Sequence, residues 1–184
     1  PAEADVSIRP GWFYHASQDD KVKTLDHLLD IYFKSVGRNS VLLINLPPDR
    51  RGLIAEPDVA RLKEFRAALD EIFKTNLATG KAVTADNVRG KADDFSASRI
   101  TDGKLDTYWA ADDGTATARL ELDLGRAREF NLVNIQEPIE LGERCRKYRI
   151  EVEQDGKWQK MMKGSVIGHR NLVVLPKTTS RKIA

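Results

Sequence analysis

Trp12, Phe13, Tyr14 and His15 stand in succession directly behind a strand-like segment, Ala4 to Ile8. An indole face can lie against an apolar face of a ligand, and an imidazole can donate to a hydroxyl. Just upstream, Glu3 and Asp5 are two residues apart, a spacing that turns both carboxylates to one face of a strand. Asp49-Arg50-Arg51-Gly52 has the outline of a phosphate-binding turn but lacks a glycine-rich cradle, so an Arg–Asp pair shaping a loop is expected there. His15, His27 and His169 share no metal-ligand spacing, which argues against zinc. The single cysteine, Cys145, excludes an internal disulfide and a Cys-based zinc site. Placed between Arg144 and Arg146, it is either a thiol of lowered pKa or a small residue filling a gap at a strand edge, and the burial habit of cysteine favours the second.

The elements that must carry these residues follow from periodicity. Leu25, Leu28, Leu29, Tyr32, Phe33 and Val36 fall at helical spacing, with Thr24 as N-cap and Gly37 as the stop. Val41 to Leu46 reads as a strand buried on both faces, in the manner of a parallel sheet covered by helices, and Pro47-Pro48 ends it. A second helix begins around Pro57, with the stripe Val59, Leu62, Phe65, Leu69, Ile72 and Phe73. Strand, helix, strand, helix is an α/β order, but two such units cannot close a sheet, so further strands are expected upstream. Behind Asn76 the period changes to two. Leu120, Leu122 and Leu124 alternate with charged residues, as do Tyr148, Ile150 and Val152; Asp155-Gly156 makes a tight hairpin turn; and Ile167 and Leu172 to Leu175 add strand. Short strands between turns indicate a β-sandwich.

The composition, 41% hydrophobic and 32% charged, is that of a globular protein. A net charge of +2 gives no reason to expect a nucleic-acid partner. No run of about 18 apolar residues is present, so no membrane span is expected. The opening Pro1-Ala2-Glu3 sits hard against a strand, and Ser180 to Ala184 reads as the beginning of another, which suggests a segment of a longer protein.

Pro1 to His15 closely resembles a stretch of family 29 glycoside hydrolases, the α-L-fucosidases. So do Leu28-Leu29-Asp30-Ile31-Tyr32, Ser35-Val36-Gly37-Arg38-Asn39-Ser40 and Leu43-Ile44-Asn45-Leu46-Pro47-Pro48-Asp49-Arg50-Arg51-Gly52. The likeness is to the branch acting on 1,3/1,4-linked fucosides. Behind it, Ser98-Arg99-Ile100-Thr101-Asp102-Gly103-Lys104-Leu105-Asp106-Thr107-Tyr108-Trp109, followed by Leu122-Asp123-Leu124-Gly125, resembles a discoidin-type domain, related to the coagulation-factor C domains and galactose-binding-like modules. The implied architecture is α/β plus all-β: the final βα units of a (β/α)₈ TIM barrel (1–76), a linker (77–81), and a discoidin-like jelly-roll β-sandwich (82–184) truncated at its C-terminus.

The resemblance implies a retaining exo-hydrolase of bacterial origin, periplasmic or secreted, acting on terminal fucose of glycans. Its nucleophile Asp and acid/base Glu are expected upstream, so no catalytic residue falls in this chain, and the missing N-terminal part of the barrel is its required partner. Catalysis needs no cofactor. Substrate contacts are expected from Trp12, whose indole suits the C–H face of a 6-deoxy sugar, from Glu3 and from His15; the plainer alternatives are packing at the barrel top for Trp12, a salt bridge with Arg9 or a neighbouring barrel residue for Glu3, and a solvated or turn-capping side chain for His15. In discoidin relatives the positions of Asp102, Thr107 and the carbonyls of Arg99 and Lys104 hold a structural Ca²⁺; without metal, Asp102 would hold an Asx-type turn. Trp109 is expected in the sandwich core, and Glu137, Glu140, Glu143 and Arg144 in a solvated loop. A lectin-like module, or another glycosidase with the same layout, stands as the alternative.

Overall fold

Strand β1 (Ala2–Ser7) and strand β2 (Ser40–Asn45) run parallel in the computed structural model, which describes residues 2–184. The crossover between them contains helix α1 (Leu25–Lys34), and helix α2 (Glu56–Ile72) follows β2. The chain divides into two compact units, residues 1–75 and 76–184.

In the first unit α1 starts where Thr24 Oγ1 accepts the His27 N–H at 3.3 Å, as its sequence predicts. Its end differs. The helix ends at Lys34, where Ser35 leaves helical geometry (φ −105°, ψ −80°) while its N–H and hydroxyl still donate to the Ile31 carbonyl; the left-handed residue is Asn39, φ 71°, and Gly37 lies in a buried 3₁₀ turn. Tyr32 on α1 meets Phe65 and Phe73 at ring centroids of 6.2 and 6.0 Å, so aromatic packing joins the two helices. The expected double burial of β2 is not found: Val41 and Leu43 are about half exposed. They share a face with Glu3 and Asp5 of β1, their register partners, and no described element of this unit covers that face.

The second unit is a curled five-stranded sheet in the order β3-β4-β7-β5-β6. Its strands are β3 (Ala82–Ala85), β4 (Leu120–Ile135), β5 (Tyr148–Gln154), β6 (Lys157–Gly164) and β7 (Asn171–Ile183), all antiparallel to their neighbours. Ile150, Val173 and Leu175 form its core, with Phe130, Val133 and Tyr148 packed against them. Asp155 and Gly156, φ 50° and 72°, make the β5–β6 turn; two successive positive φ values are why Asp-Gly stands there. Ile167 lies in the β6–β7 loop and not in a strand, and Ser180 to Ile183 end β7 where the sequence suggested a new strand.

Candidate functional site

Parallel strands bring their C-terminal ends to one side, and the residues just beyond them form the first candidate site. Ser7 and Asn45 are register partners. Asn45 Nδ2 donates to Ser7 Oγ and to the Trp12 carbonyl, each at 3.1 Å, so the end of β2 fixes the backbone that follows β1. Trp12 is 50% exposed. A cavity of about 360 Å³, lined in part by Arg9, Trp12, Lys23 and His27, opens between the end of β1 and the start of α1.

His15 shares this loop with Trp12. Its exposed side chain caps nothing, while its carbonyl accepts the Gln18 N–H at 3.0 Å. Glu3 is not brought to the same place. It lies near the start of β1, exposed and opposite Val41, four residues and so about 13 Å of strand from Ser7. Nor does it pair with Arg9.

Sequence reasoning named Arg9 only as a partner for Glu3 and missed its buried role. Its side chain and that of Asp58, in the first turn of α2, are both fully buried. Arg9 Nε donates to both Asp58 oxygens at 2.8 and 2.9 Å, and Nη1 donates to Asp19 Oδ1 at 2.8 Å. The guanidinium carbon sits 4.9 Å from the Tyr14 ring centroid. Desolvation pulls the Arg9 pKa down, but the hydrogen bonds from Asp58 and Asp19 outweigh it and the pKa is raised. The ion pairs therefore tie the aromatic loop and the start of α2 to one strand end. No local sequence signal announces a contact between residues 49 apart.

The loop after β2 is structural, as the pairing of Asp49 with Arg51 predicts. Asp49 Oδ2 accepts from Arg51 Nε and Nη2 at 3.0 and 2.8 Å, and Oδ1 accepts the Arg51 N–H at 2.8 Å. The Arg51 side chain, against some desolvation, holds the Asp49 carboxyl below the usual carboxylate range.

In the second unit, Asp102 Oδ2 accepts the Thr107 hydroxyl at 2.7 Å and Oδ1 accepts the Lys104 N–H at 2.9 Å. Those two bonds, Thr107 first, lower the Asp102 pKa. This is an Asx-type turn in which the carboxylate and the hydroxyl lie side by side. Among the described residues no three His, Cys, Asp or Glu side chains gather into a cage. One carboxylate, one hydroxyl and the carbonyls of Arg99 and Lys104 are nevertheless all hard oxygen donors, the type that fits Ca²⁺.

Glu137 departs from the expected solvated loop. Its Oε1 accepts the N–H groups of Arg144 and Cys145 at 2.9 and 2.7 Å, and Oε2 accepts that of Gly168 at 2.9 Å, so it staples the β4–β5 and β6–β7 loops together. Desolvation and the Glu137 charge raise the Cys145 pKa, which removes the reactive-thiol reading. Trp109 is half-buried, with Nε1 donating to the Asn87 carbonyl at 2.9 Å.

Residues 81–183 match the F5/8 type C domain. The chain is similar to Alpha-L-fucosidase 1 of Arabidopsis thaliana, 39% identical over 176 residues, which is 94% of this chain and 34% of that protein. Among solved structures, SpGH29 covers 98% of the chain at a TM-score of 0.91 and 40% identity, the chain spanning 39% of it. A GH29 fucosidase of Ruminococcus gnavus in complex with fucose covers 98% at a TM-score of 0.90 and 36% identity, the chain spanning 36% of it. The chain thus spans about a third of the length of the curated relatives it matches.

Proposed function

Because the chain belongs to the F5/8 type C domain family, and because its similarity to α-L-fucosidases runs through both units, we propose that it serves as the C-terminal third of a retaining, exo-acting α-L-fucosidase. Residues 1–76 would supply the last βα units of the barrel, 77–81 the joint, and 82–184 the accessory sandwich. The observation that carries the reading is the junction at the strand ends, where Asn45 fixes Trp12 at the end of two parallel strands. In (β/α)₈ enzymes that side of the strands holds the chemistry.

In this reading Trp12 lies against the apolar face and methyl group of fucose, and His15 donates to a hydroxyl. Glu3, further down the strand, would act from the barrel interior. The two carboxylates that do the chemistry belong to the part of the relatives that this chain does not span. One attacks the anomeric carbon to form a glycosyl-enzyme. The other protonates the leaving oxygen and then activates water. The linkage preference proposed is α-1,3/1,4, from the branch that the sequence motifs resemble. Export follows from the same reading, because the glycan substrates of a bacterial fucosidase lie outside the cytoplasm.

A Ca²⁺ ion in the sandwich is a separate proposal. Asp102, Thr107 and the carbonyls of Arg99 and Lys104 would hold it, and the ion would stiffen residues 99–107 without entering the chemistry.

The full-length polypeptide should hydrolyse 4-nitrophenyl α-L-fucoside and release fucose from a Lewis-type α-1,3/1,4 trisaccharide faster than from an α-1,2-linked one. Proton NMR should show α-fucose forming first, before mutarotation. Inactivity of that polypeptide on every fucoside would sink the reading, and so would turnover by residues 1–184 alone, which would put the acids inside this chain.

A further inference from the structure

We propose that Phe13 is a specificity-determining residue whose ring forms the platform for the sugar to which the terminal fucose is attached. The inference rests on the fucosidase reading and deepens it.

The loop that carries Phe13 is closed at its neck. Lys23 N–H donates to the Ile8 carbonyl at 2.9 Å, and Lys23 Nζ donates to the Ser7 carbonyl at 2.6 Å, so residues 10–22 leave β1 and return to it. Such Ω-type loops are compact and often functional. This one is fastened inside as well. Arg9 holds Asp19 and lies over Tyr14, and Asn45 holds the Trp12 carbonyl.

Phe13 is 78% exposed on that fastened backbone, and among the described residues no other ring stacks against it. Its neighbours divide in direction: Tyr14 turns inward to Arg9, while Trp12 and Phe13 face solvent. Burying a phenylalanine side chain is worth about 1.5–3 kcal/mol. Within residues 2–184 that gain is not taken, although the backbone beneath the ring is held.

The chemistry around the ring fits a pyranose. A sugar offers an apolar C–H face to a ring and hydroxyls to a polar rim. Polar groups for such a rim are carried by the same two loops: His15, two residues on, is exposed, and Arg51, on the loop after β2, is 60% exposed. Trp12 is the less exposed of the pair and is tied directly to the strand end, which suits the terminal sugar. Phe13, one residue further out, suits the unit that remains at the mouth of an exo-acting pocket.

The experiment compares two substrates in the full-length enzyme: α-L-fucosyl fluoride, whose leaving group is one atom, and a fucosylated trisaccharide. Phe13→Ala should lower kcat/KM for the trisaccharide about five- to tenfold, the size of a lost aromatic contact. It should leave the fluoride rate within about twofold. Phe13→Trp should restore the trisaccharide rate, and the melting temperature of the 184-residue chain should not move with Phe13→Ala, because the ring is exposed there. An unchanged trisaccharide rate, or an equal loss on both substrates, overturns the role of Phe13 while leaving the fucosidase reading intact. Wild-type inactivity on both substrates removes that reading, and this inference with it.

Discussion

Arg9 and Asp58 are two charges taken wholly out of water, and the worth of such a pair lies in its completeness. Removing Arg9 leaves Asp58 a buried, uncompensated ion, at a cost of about 3–5 kcal/mol, and removing Asp58 leaves the buried Arg9 with Asp19 alone; replacing both with apolar residues of similar volume is often close to neutral. Arg9→Met and Asp58→Leu should therefore each lower the urea midpoint of the 184-residue chain sharply. The double variant should recover most of the loss, and additive losses would show that the pair is not coupled. Asp102 belongs to the opposite regime, a solvated carboxylate already satisfied by the Thr107 hydroxyl and the Lys104 N–H. Asp102→Asn keeps one side-chain oxygen to accept the Lys104 N–H and close the turn but loses the charge a hard cation needs. Millimolar CaCl₂ should raise the melting temperature of the wild-type chain and leave that of Asp102→Asn unmoved. A chain whose melting ignores Ca²⁺ would refute the cation proposal and keep the turn.

At the scale of elements, β4 shows how one side chain shapes a strand. Its pairing with β7 shifts register between Asp123 and Arg128, and Asp123 sits at that irregularity. Its carboxylate accepts from Arg181 Nε and Nη2 at 2.8 and 2.7 Å and from the Gly125 N–H at 2.7 Å. Arg181 first, then that N–H, lower its pKa to about 2. A folded pKa below the unfolded one, about 3.9 for Asp, gives stability that is present above the unfolded value and is lost as pH falls towards the folded one. The wild-type advantage over Asp123→Asn in melting temperature should thus hold from neutral pH to about pH 4 and shrink towards pH 2. A difference independent of pH would mean that the carboxylate acts by shape alone. The same bulge explains what the sequence hid. Alternation at Leu120, Leu122 and Leu124 is legible, but the break at Gly125 conceals that the strand runs on to Ile135. α1 and the β5–β6 hairpin are legible because their signals, Thr24 and Asp155-Gly156, act within a few residues. The Asn45–Trp12, Arg9–Asp58 and Glu137–Gly168 contacts span 33, 49 and 31 residues, and distant partners leave no local periodicity to read.

Across the whole molecule the two units differ in how they bury their sheets. The second has five strands and a core in which Val173 and Val152 are fully buried. The first has two strands, and Val41 and Leu43 stand about half exposed on a face shared with Glu3 and Asp5. Two strands are marginal without cover on both faces, and apolar residues presented to solvent contribute little to holding them. Amide protection should follow this contrast. In native-state hydrogen exchange of the 184-residue chain, the amides of β7 from Leu172 to Leu175 should open only with global unfolding of their unit. Those of β2 from Val41 to Ile44 should open at distinctly lower free energy, because breaking a two-stranded pairing exposes little that was buried. In the full-length polypeptide the β2 amides should gain protection, since strands supplied by the rest of a barrel would cover that face, while the β7 amides stay as they were. Equal protection of β2 and β7 in the shorter chain would show that the parallel pair needs no further strands, and would remove the physical basis for treating residues 1–76 as a barrel segment.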